Sequence, residues 1–399
     1  MIKTEVIILG AGAAGPMCAI SAASRGRKVV LLDHANKVGK KILMSGGGRC
    51  NFTNLDIQPE NFICHNPHFC KSALSRYTQW DFISMVEKHN IAYHEKKLGQ
   101  LFCDNKSKDI LNMLLDECAQ VKVAIRSQCK IDQIKESEAG FVLKTSQGTW
   151  QCESLVIATG GLSIPKMGAT GFGYDVAKQF DIKVLAQQAA LVPLTLIEKM
   201  KHDFADLSGT SVDAIATCNG QSFRENILFT HRGLSGPAIL QISSYWNQGD
   251  NISLNLLPDI GLFSDLFKYL KSQQKSKSNT QLNTALSEFF SKKLANTLCE
   301  LWFKDFCHLA LAQISDEKLQ QVVTQLQQWQ FKPNGTEGYR TAEVTKGGID
   351  TDEISSKTFA ANKVKGLYFI GEVLDVSAHL GGYNFQWAWS SGHAAGQFV

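Results

Sequence analysis

Gly10, Gly12 and Gly15 follow directly on the apolar run Glu5-Val6-Ile7-Ile8-Leu9, a spacing that lets a backbone come close to a pyrophosphate. Gly10 serves the tight turn and Gly12 the close approach. Ala13 and Ala14 open a helix whose N–H groups face the phosphates, and Gly15 packs that helix on the strand. A second strand, Lys28-Val29-Val30-Leu31-Leu32, ends at Asp33, which lies 18 residues beyond Gly15, where an acid bonds ribose hydroxyls. A glycine-rich turn alone is commonplace. Strand, glycines, helix, strand and acid in series predict a dinucleotide site.

Which dinucleotide depends on what comes next. NAD folds continue with another helix and strand, whereas FAD folds send a loop toward the flavin. Here the chain runs Lys40-Lys41-Ile42-Leu43-Met44-Ser45-Gly46-Gly47-Gly48-Arg49-Cys50-Asn51. Backbone N–H groups of the glycines can approach an anion or a flavin edge, with Lys40, Lys41 and Arg49 supplying positive charge and Ser45 and Asn51 further polar contacts. A cationic surface loop is the plain alternative. Ser154-Leu155-Val156-Ile157-Ala158 is another buried-strand pattern, and Thr159-Gly160-Gly161 would meet the cofactor at its carboxyl end.

The chain resembles the BaiN/RdsA, or aminoacetone oxidase-like, family of FAD-dependent oxidoreductases. The resemblance is carried by Gly10 to Gly15, the Gly39 to Asn51 segment, Ala158 to Gly161 and Leu228-Phe229-Thr230-His231-Arg232-Gly233-Leu234-Ser235-Gly236-Pro237-Ala238. It continues through Thr345-Lys346-Gly347-Gly348-Ile349 and Gly371-Glu372 to Gly381-Gly382-Tyr383-Asn384-Phe385-Gln386. It implies an α/β fold: a glutathione-reductase-like FAD-binding Rossmann domain interrupted by a β-barrel substrate domain with a small helical subdomain. The expected boundaries are 1–190 with 335–399 for the FAD domain, 191–258 with 331–345 for the barrel, and 259–330 for the helices. The resemblance places Gly371 and Glu372 beside the ribityl-pyrophosphate stretch, with Asp375 sharing that role. It sets Gly382, Asn384, Phe385 and Gln386 at the start of the last helix, whose N–H groups would face the pyrimidine side of the flavin. The adenine end is assigned to Ile131, in a predicted strand pair over 121–134 that is equally readable as plain core.

Composition bounds the rest. The chain has 399 residues, 44% hydrophobic and 20% charged, which excludes wholesale disorder and suits several globular domains. No apolar run reaches the length of a membrane span. A net charge of +4 tolerates an anionic ligand without marking a dedicated nucleic-acid binder. The eleven cysteines are scattered without a CxxC, which argues against a zinc centre or a dithiol and fits a reducing cytoplasm. The period-two patterns Val192 to Leu196, Ser211 to Thr217 and Ile252 to Leu256 predict antiparallel strands, and Leu262 to Gln330 a lysine-rich helical region. Its lysines read as a solvated face, with an RNA-facing patch as the sharper alternative.

No second strand-GxGxxG-helix unit follows, so NADH or NADPH is expected only as a transient electron donor. Oxidase chemistry and reduction of an electron-poor double bond both remain open on the residues alone. Reduction needs groups that polarise a carbonyl and an acid that protonates the neighbouring carbon. Cys50, Tyr383, His231 and Arg49 are the candidates, with Arg232 and His379 beside them. The resemblance implies amine oxidases, reducers of conjugated steroid double bonds and a 23S rRNA dihydrouridine synthase among its members. The expected substrate is therefore ribosomal RNA, with a small conjugated carbonyl as alternative. A non-catalytic flavin-containing module that binds RNA or protein is the reading of another class.

Overall fold

The computed structural model describes residues 1–260 and 263–399, in two compact units. Unit one comprises 1–189 and 343–399, and unit two 190–342. The expected return to the first unit at 335 moves to 343, because Gly335–Thr336 pairs with Leu194–Thr195 inside the second unit.

Unit one is built on five parallel strands: β1 (Val6–Leu9), β2 (Val29–Leu32), β3 (Ala124–Arg126), β4 (Ser154–Ile157) and β5 (Leu367–Phe369). Their spatial order is β5-β4-β1-β2-β3. The chain leaves β1 toward β2 and later returns to β4 on its other side, so the crevice beyond the ends of β1 and β4 is the switch point at which such sheets bind ligands. β1, β2 and β4 are buried throughout, as continuous β-branched and leucine runs in a parallel sheet require. The predicted strand pair over 121–134 divides between two sheets. Ala124–Arg126 joins the parallel sheet, while Ile131 begins an antiparallel meander of Ile131–Ser137, Gly140–Thr145 and Gly148–Cys152.

Two helices clamp together next to the switch point, α1 (Ala14–Ser24) and the last helix, α2 (Tyr383–Gly396). Glycines bring them close: a Cβ at Gly392 would stand 2.4 Å from the Ala14 carbonyl oxygen, and one at Gly396 2.4 Å from the Ser21 Cβ. Helix α1 is apolar almost all round, which is affordable only for a helix with no solvated face.

Unit two carries a seven-stranded antiparallel sheet with its own core, in the order 329–331, 252–255, 211–218, 221–229, 233–235, 194–195 and 335–336. Its helices include Glu198–Asp203 and Pro237–Ser243 among the strands and then Phe263–Ser276, Leu282–Leu286, Lys292–Trp302 and Asp316–Gln327, and Ser291 and Ser315 cap the last two. The start of the predicted helical stretch at Leu262 lies outside the described residues, and its end at Gln330 falls in the strand Trp329–Phe331. Several of the lysines pair locally, Lys271 with Asp316 and Lys277 with Glu288 among them. Among the described residues no helix is long and apolar enough to cross a membrane, and no cluster of His, Cys, Asp or Glu could hold a metal.

The α1–α2 contact yields a prediction. Gly392→Ala pushes a methyl against backbone and lowers stability by about 1–3 kcal/mol. Gly171→Ala, whose Cβ would meet nothing nearer than 4.0 Å, stays within about 0.5 kcal/mol of wild type. Urea midpoints of the two variants check this, and equal midpoints would refute the close packing.

Candidate cofactor site and active site

The three glycines after β1 have different surroundings. A Cβ on Gly10 would lie 2.4 Å from the Ala158 carbonyl oxygen, and one on Gly15 2.0 Å from the Gly10 oxygen. Gly12 has no atom within 4 Å of where its Cβ would be. Two of the glycines are therefore required by the protein's own packing, and the third faces open space. Helix α1 begins there after Ala13 with no side-chain cap and no acid in its first turn, so its N–H groups are available to an anion.

Asp33 ends β2 and accepts the Ala11 N–H through Oδ2 and the Ala35 N–H through Oδ1, both at 2.7 Å. Each oxygen keeps a further lone pair for a ribose hydroxyl. Ile131 starts the meander half-buried. The chain just before it is tied to the same place, since Cys129 N–H donates to the Asp33 carbonyl at 2.9 Å and Gln128 N–H to that of Ala35 at 3.0 Å.

Four segments meet at Glu372. Lys41 Nζ lies 2.6 Å from Glu372 Oε2 and 2.6 Å from Ser163 Oγ. The Ser163 hydroxyl donates to Oε1 at 2.9 Å, and the Thr345 N–H donates to the same oxygen at 3.0 Å. Thr345 Oγ1 in turn accepts the Leu162 N–H at 2.8 Å. Gly160 and Gly161 lie in this turn, and a Cβ on Gly161 would clash at 2.5 Å with Thr345 Oγ1. Thr159 Oγ1 is buried at the end of β4 with no hydrogen-bond partner among the described residues. Sequence reasoning singled out Lys41 and Glu372 but missed Ser163 and Thr345. Ser163 follows Gly161 by two residues, and that position beyond a strand end was the available signal.

Lys40–Met44 is a short helix, and Ser45–Gly48 a tight turn in which Gly46 (φ 57°) and Gly47 (φ 66°) are left-handed. A Cβ on Gly46 would stand 2.8 Å from the Asn51 nitrogen, whereas Gly47 and Gly48 have nothing within 4 Å. Ser45 closes the turn by donating its hydroxyl to the Ile42 carbonyl at 2.8 Å. Arg49 is exposed beside it, and Lys40 is half-buried.

Several expected contacts are redirected inward. Cys50 is 0% exposed, its N–H closes the turn onto the Ser45 carbonyl at 3.1 Å, and burial pushes its thiol up to about 12. A thiol with no surface does not reach a substrate, so the structure removes Cys50 from the acid role. Gln386 is also fully buried, accepting from Thr53 Oγ1 at 2.7 Å and donating to the Tyr77 carbonyl and Ser390 Oγ. Asn384 holds the chain before α2, accepting the Ala378 N–H and donating to the Ala378 and His379 carbonyls. Gly371 gives its N–H to Ser391 Oγ and its carbonyl to Trp387 Nε1. Phe385 stacks on Trp389 at 5.4 Å. Asp375 is buried and accepts the His65 N–H at 2.8 Å, away from the Glu372 cluster's hydrogen bonds. The side chains of Gln386 and Asn384 and the backbone of Gly371 are thus hydrogen-bonded within the scaffold around α2.

At the start of α2, Gly382 fits against strand Asn51–Asn54, where a Cβ would stand 2.4 Å from the Thr53 carbonyl oxygen. With its amide turned to suit its neighbours, Asn51 accepts the Gly382 N–H at 3.2 Å. Tyr383 is half-buried, edge-on to Phe62 and His379. Burial raises its phenol and lowers the His379 imidazole to about 4. In unit two, His231 and Arg232 are exposed at the tip of a hairpin closed by Thr230 and Gly233. The burial of Cys50 is directly testable. Alkylation mapped by mass spectrometry leaves Cys50 unlabelled in the native protein and labels it after denaturation; native labelling would place it at accessible surface.

The chain matches the model of the HI0933-like protein Rossmann domain over residues 4–398. It is 52% identical over 398 residues to the ribosomal RNA dihydrouridine synthase of Escherichia coli (strain K12), covering 100% of this chain and 98% of that one. It is 50% identical to the protein of the same name from Haemophilus influenzae, covering 98% and 97%. A 3-dehydro-bile acid delta(4,6)-reductase of Clostridium scindens is 28% identical, covering 98% and 97%. Among solved structures, a quinol-fumarate reductase superposes with a TM-score of 0.50 at 15% identity, covering 99% of this chain and 70% of that one, a likeness of fold alone. A single family model thus runs through both segments of the first unit and all of the second, and the chain belongs to the HI0933-like family.

Proposed function

We propose that this protein is an FAD-dependent reductase that converts a uridine of 23S ribosomal RNA to dihydrouridine. The observation that carries the reading is the full-length identity of 52% with a protein named for that reaction, against 28% for a relative named for a steroid double bond. Both names describe reduction of a conjugated C=C bond, which favours reductase over oxidase chemistry.

The residues fit FAD. Gly12 is open where a pyrophosphate needs backbone contact, and α1 directs uncapped N–H groups at it. Asp33 has lone pairs left for the adenosine ribose. Thr159 has a buried hydroxyl without a partner, and Gly47 and Gly48 leave room for a flat ring system. Bound there, FAD supplies hydride chemistry. Lys41, Ser163 and the Thr345 N–H hold Glu372 in one orientation, in which it would take the place beside the ribityl stretch that the resemblance assigns to it. Arg49 and Tyr383 provide donors for a uracil carbonyl, while His231 and Arg232 present a cationic hairpin suited to RNA phosphates. NADH or NADPH, binding transiently, is the electron donor in this reading.

Two experiments bear on it. Gly12→Leu fills the space a pyrophosphate needs; the purified variant is expected to lose bound flavin and the rise in Tm on adding FAD, with its apo Tm unchanged. Retention of flavin at the wild-type level would refute the placement. Nucleoside mass spectrometry of 23S rRNA from cells lacking the gene is expected to show dihydrouridine lost at one position and restored by the wild-type gene. Unchanged dihydrouridine would overturn the RNA reading in favour of a small conjugated carbonyl.

A further inference from the structure

One hairpin of the first unit ends beside the start of α2, at a place that none of the motifs marks. Its strands, Tyr93–Glu95 and Gln100–Cys103, pair with each other, and the second pairs with Asn51–Asn54, the strand against which Gly382 fits. The tip is Lys96-Lys97-Leu98-Gly99, closed by the Lys96 N–H on the Gln100 carbonyl and the Gln100 N–H on the Lys97 carbonyl, both at 3.0 Å. A single amide joins tip and helix start: Asn54 Nδ2 donates to the Leu98 carbonyl at 3.0 Å and to the Gly381 carbonyl at 2.9 Å. Both sides fit closely, since a Cβ on Gly99 would stand 2.4 Å from Asn54 Oδ1, and one on Gly381 3.3 Å from Gln100 Cγ and from Tyr383 Cε2. Further along the same strand, Phe102 bounds the other glycine turn, 2.8 Å from where a Cβ of Gly46 would be.

Leu98 is the odd residue of this tip. It is 64% exposed although apolar, and its φ of 50° is a left-handed conformation that glycine adopts freely and leucine only with strain. Neither solubility nor backbone ease explains a leucine there. Lys96 and Lys97 beside it are exposed, Lys96 Nζ lying over the Phe102 ring at 5.2 Å from its centroid. Arg49, exposed at the glycine turn, is joined to the same hairpin by the Cys103 N–H, which donates to its carbonyl at 3.0 Å. The neighbouring acids are engaged, Glu95 by the Gly99 N–H at 3.2 Å and Asp104 by His94 Nδ1 at 2.6 Å. An apolar point set among cations matches a nucleic acid, whose phosphates take the charges and whose bases take the apolar contact.

We propose that Leu98 is a wedge that enters the base stack of folded ribosomal RNA as the target uridine leaves it. The inference rests on the uridine-reductase reading. The C5=C6 π bond of uracil has its lobes above and below the ring, on the two faces that neighbouring bases cover in a stack. A reducing site therefore reaches that bond only after the uridine has turned out, which costs unstacking energy. An apolar side chain inserted at the vacated level offsets part of that cost by keeping the neighbouring bases covered. Lys96 and Lys97 hold the flanking phosphates, and the Asn54 link sets the wedge beside the turn that presents Tyr383. Leu98 touches the RNA without touching the reacting atoms, so it is a positioning residue.

The test uses Leu98→Gly and Leu98→Met holoenzymes. Glycine suits the left-handed tip, so Leu98→Gly should keep its FAD content and Tm while losing the side chain, and Leu98→Met restores a long apolar one. Pre-reduced enzyme is mixed with 23S rRNA from cells lacking the gene, and dihydrouridine formed in a single turnover should fall about 10- to 10²-fold in Leu98→Gly and largely recover in Leu98→Met. An rRNA fragment with 2-aminopurine next to the target uridine should brighten when wild type or Leu98→Met binds, and stay dim when Leu98→Gly binds. Wild-type turnover by Leu98→Gly, full brightening with it, or no brightening with wild type overturns the wedge. Loss of RNA binding by Leu98→Gly also overturns it, by making the tip an anchor. Dihydrouridine formed equally by all three enzymes removes Leu98 alone, whereas none formed by wild type removes the RNA reading and this inference together.

Discussion

Glu372 is held by an ammonium, a hydroxyl and a backbone N–H from three other parts of the chain, the most distant 331 residues away in sequence. A carboxylate with this little surface needs its charge balanced and its lone pairs filled. Satisfying them requires Lys41, the turn after β4 and the strand at Thr345 to arrive together. The insertion of unit two between 189 and 343 is compatible with this only because the returning strand docks on the first unit immediately. The cluster thus links the closure of the fold with the architecture of the site.

The helix pair has a similar economy. Gly15 lets α1 lie on β1, and Gly392 and Gly396 let α2 lie on α1, so three layers stack with backbones nearly touching. This leaves the first turn of α1 with no side chain to cap it. A buried helix start without partners is costly to a protein alone, and an anionic ligand meets that need. Packing and binding are in this sense one arrangement, since the same small residues bring the elements together and leave the N–H groups open.

The Rossmann unit was legible because its signals are local. Strand, glycine turn, helix and acid lie within residues 5–33, and β4 and β5 repeat the buried-strand pattern. The period-two strands of the second unit were legible for the same reason. The roles of Gln386, Asn384 and Gly371 were not. Each sits in a motif beside the cofactor site, yet its polar atoms turn to Tyr77, Ala378 and Ser391, and nothing in a one-dimensional pattern tells which way an amide points. Cys50 misled in the same manner, since it follows an open glycine turn but its own side chain is driven into the core.

The sequence by itself determined the dinucleotide signature, the interrupted domain order and the family, because these depend on residue type and spacing along the chain. Only the tertiary structure decided which polar groups remain free. Lys41 was one of several basic residues until Ser163 and Glu372 met it. Charge, burial and hydrogen-bond saturation are properties of neighbourhoods, and the neighbours here come from segments up to hundreds of residues apart.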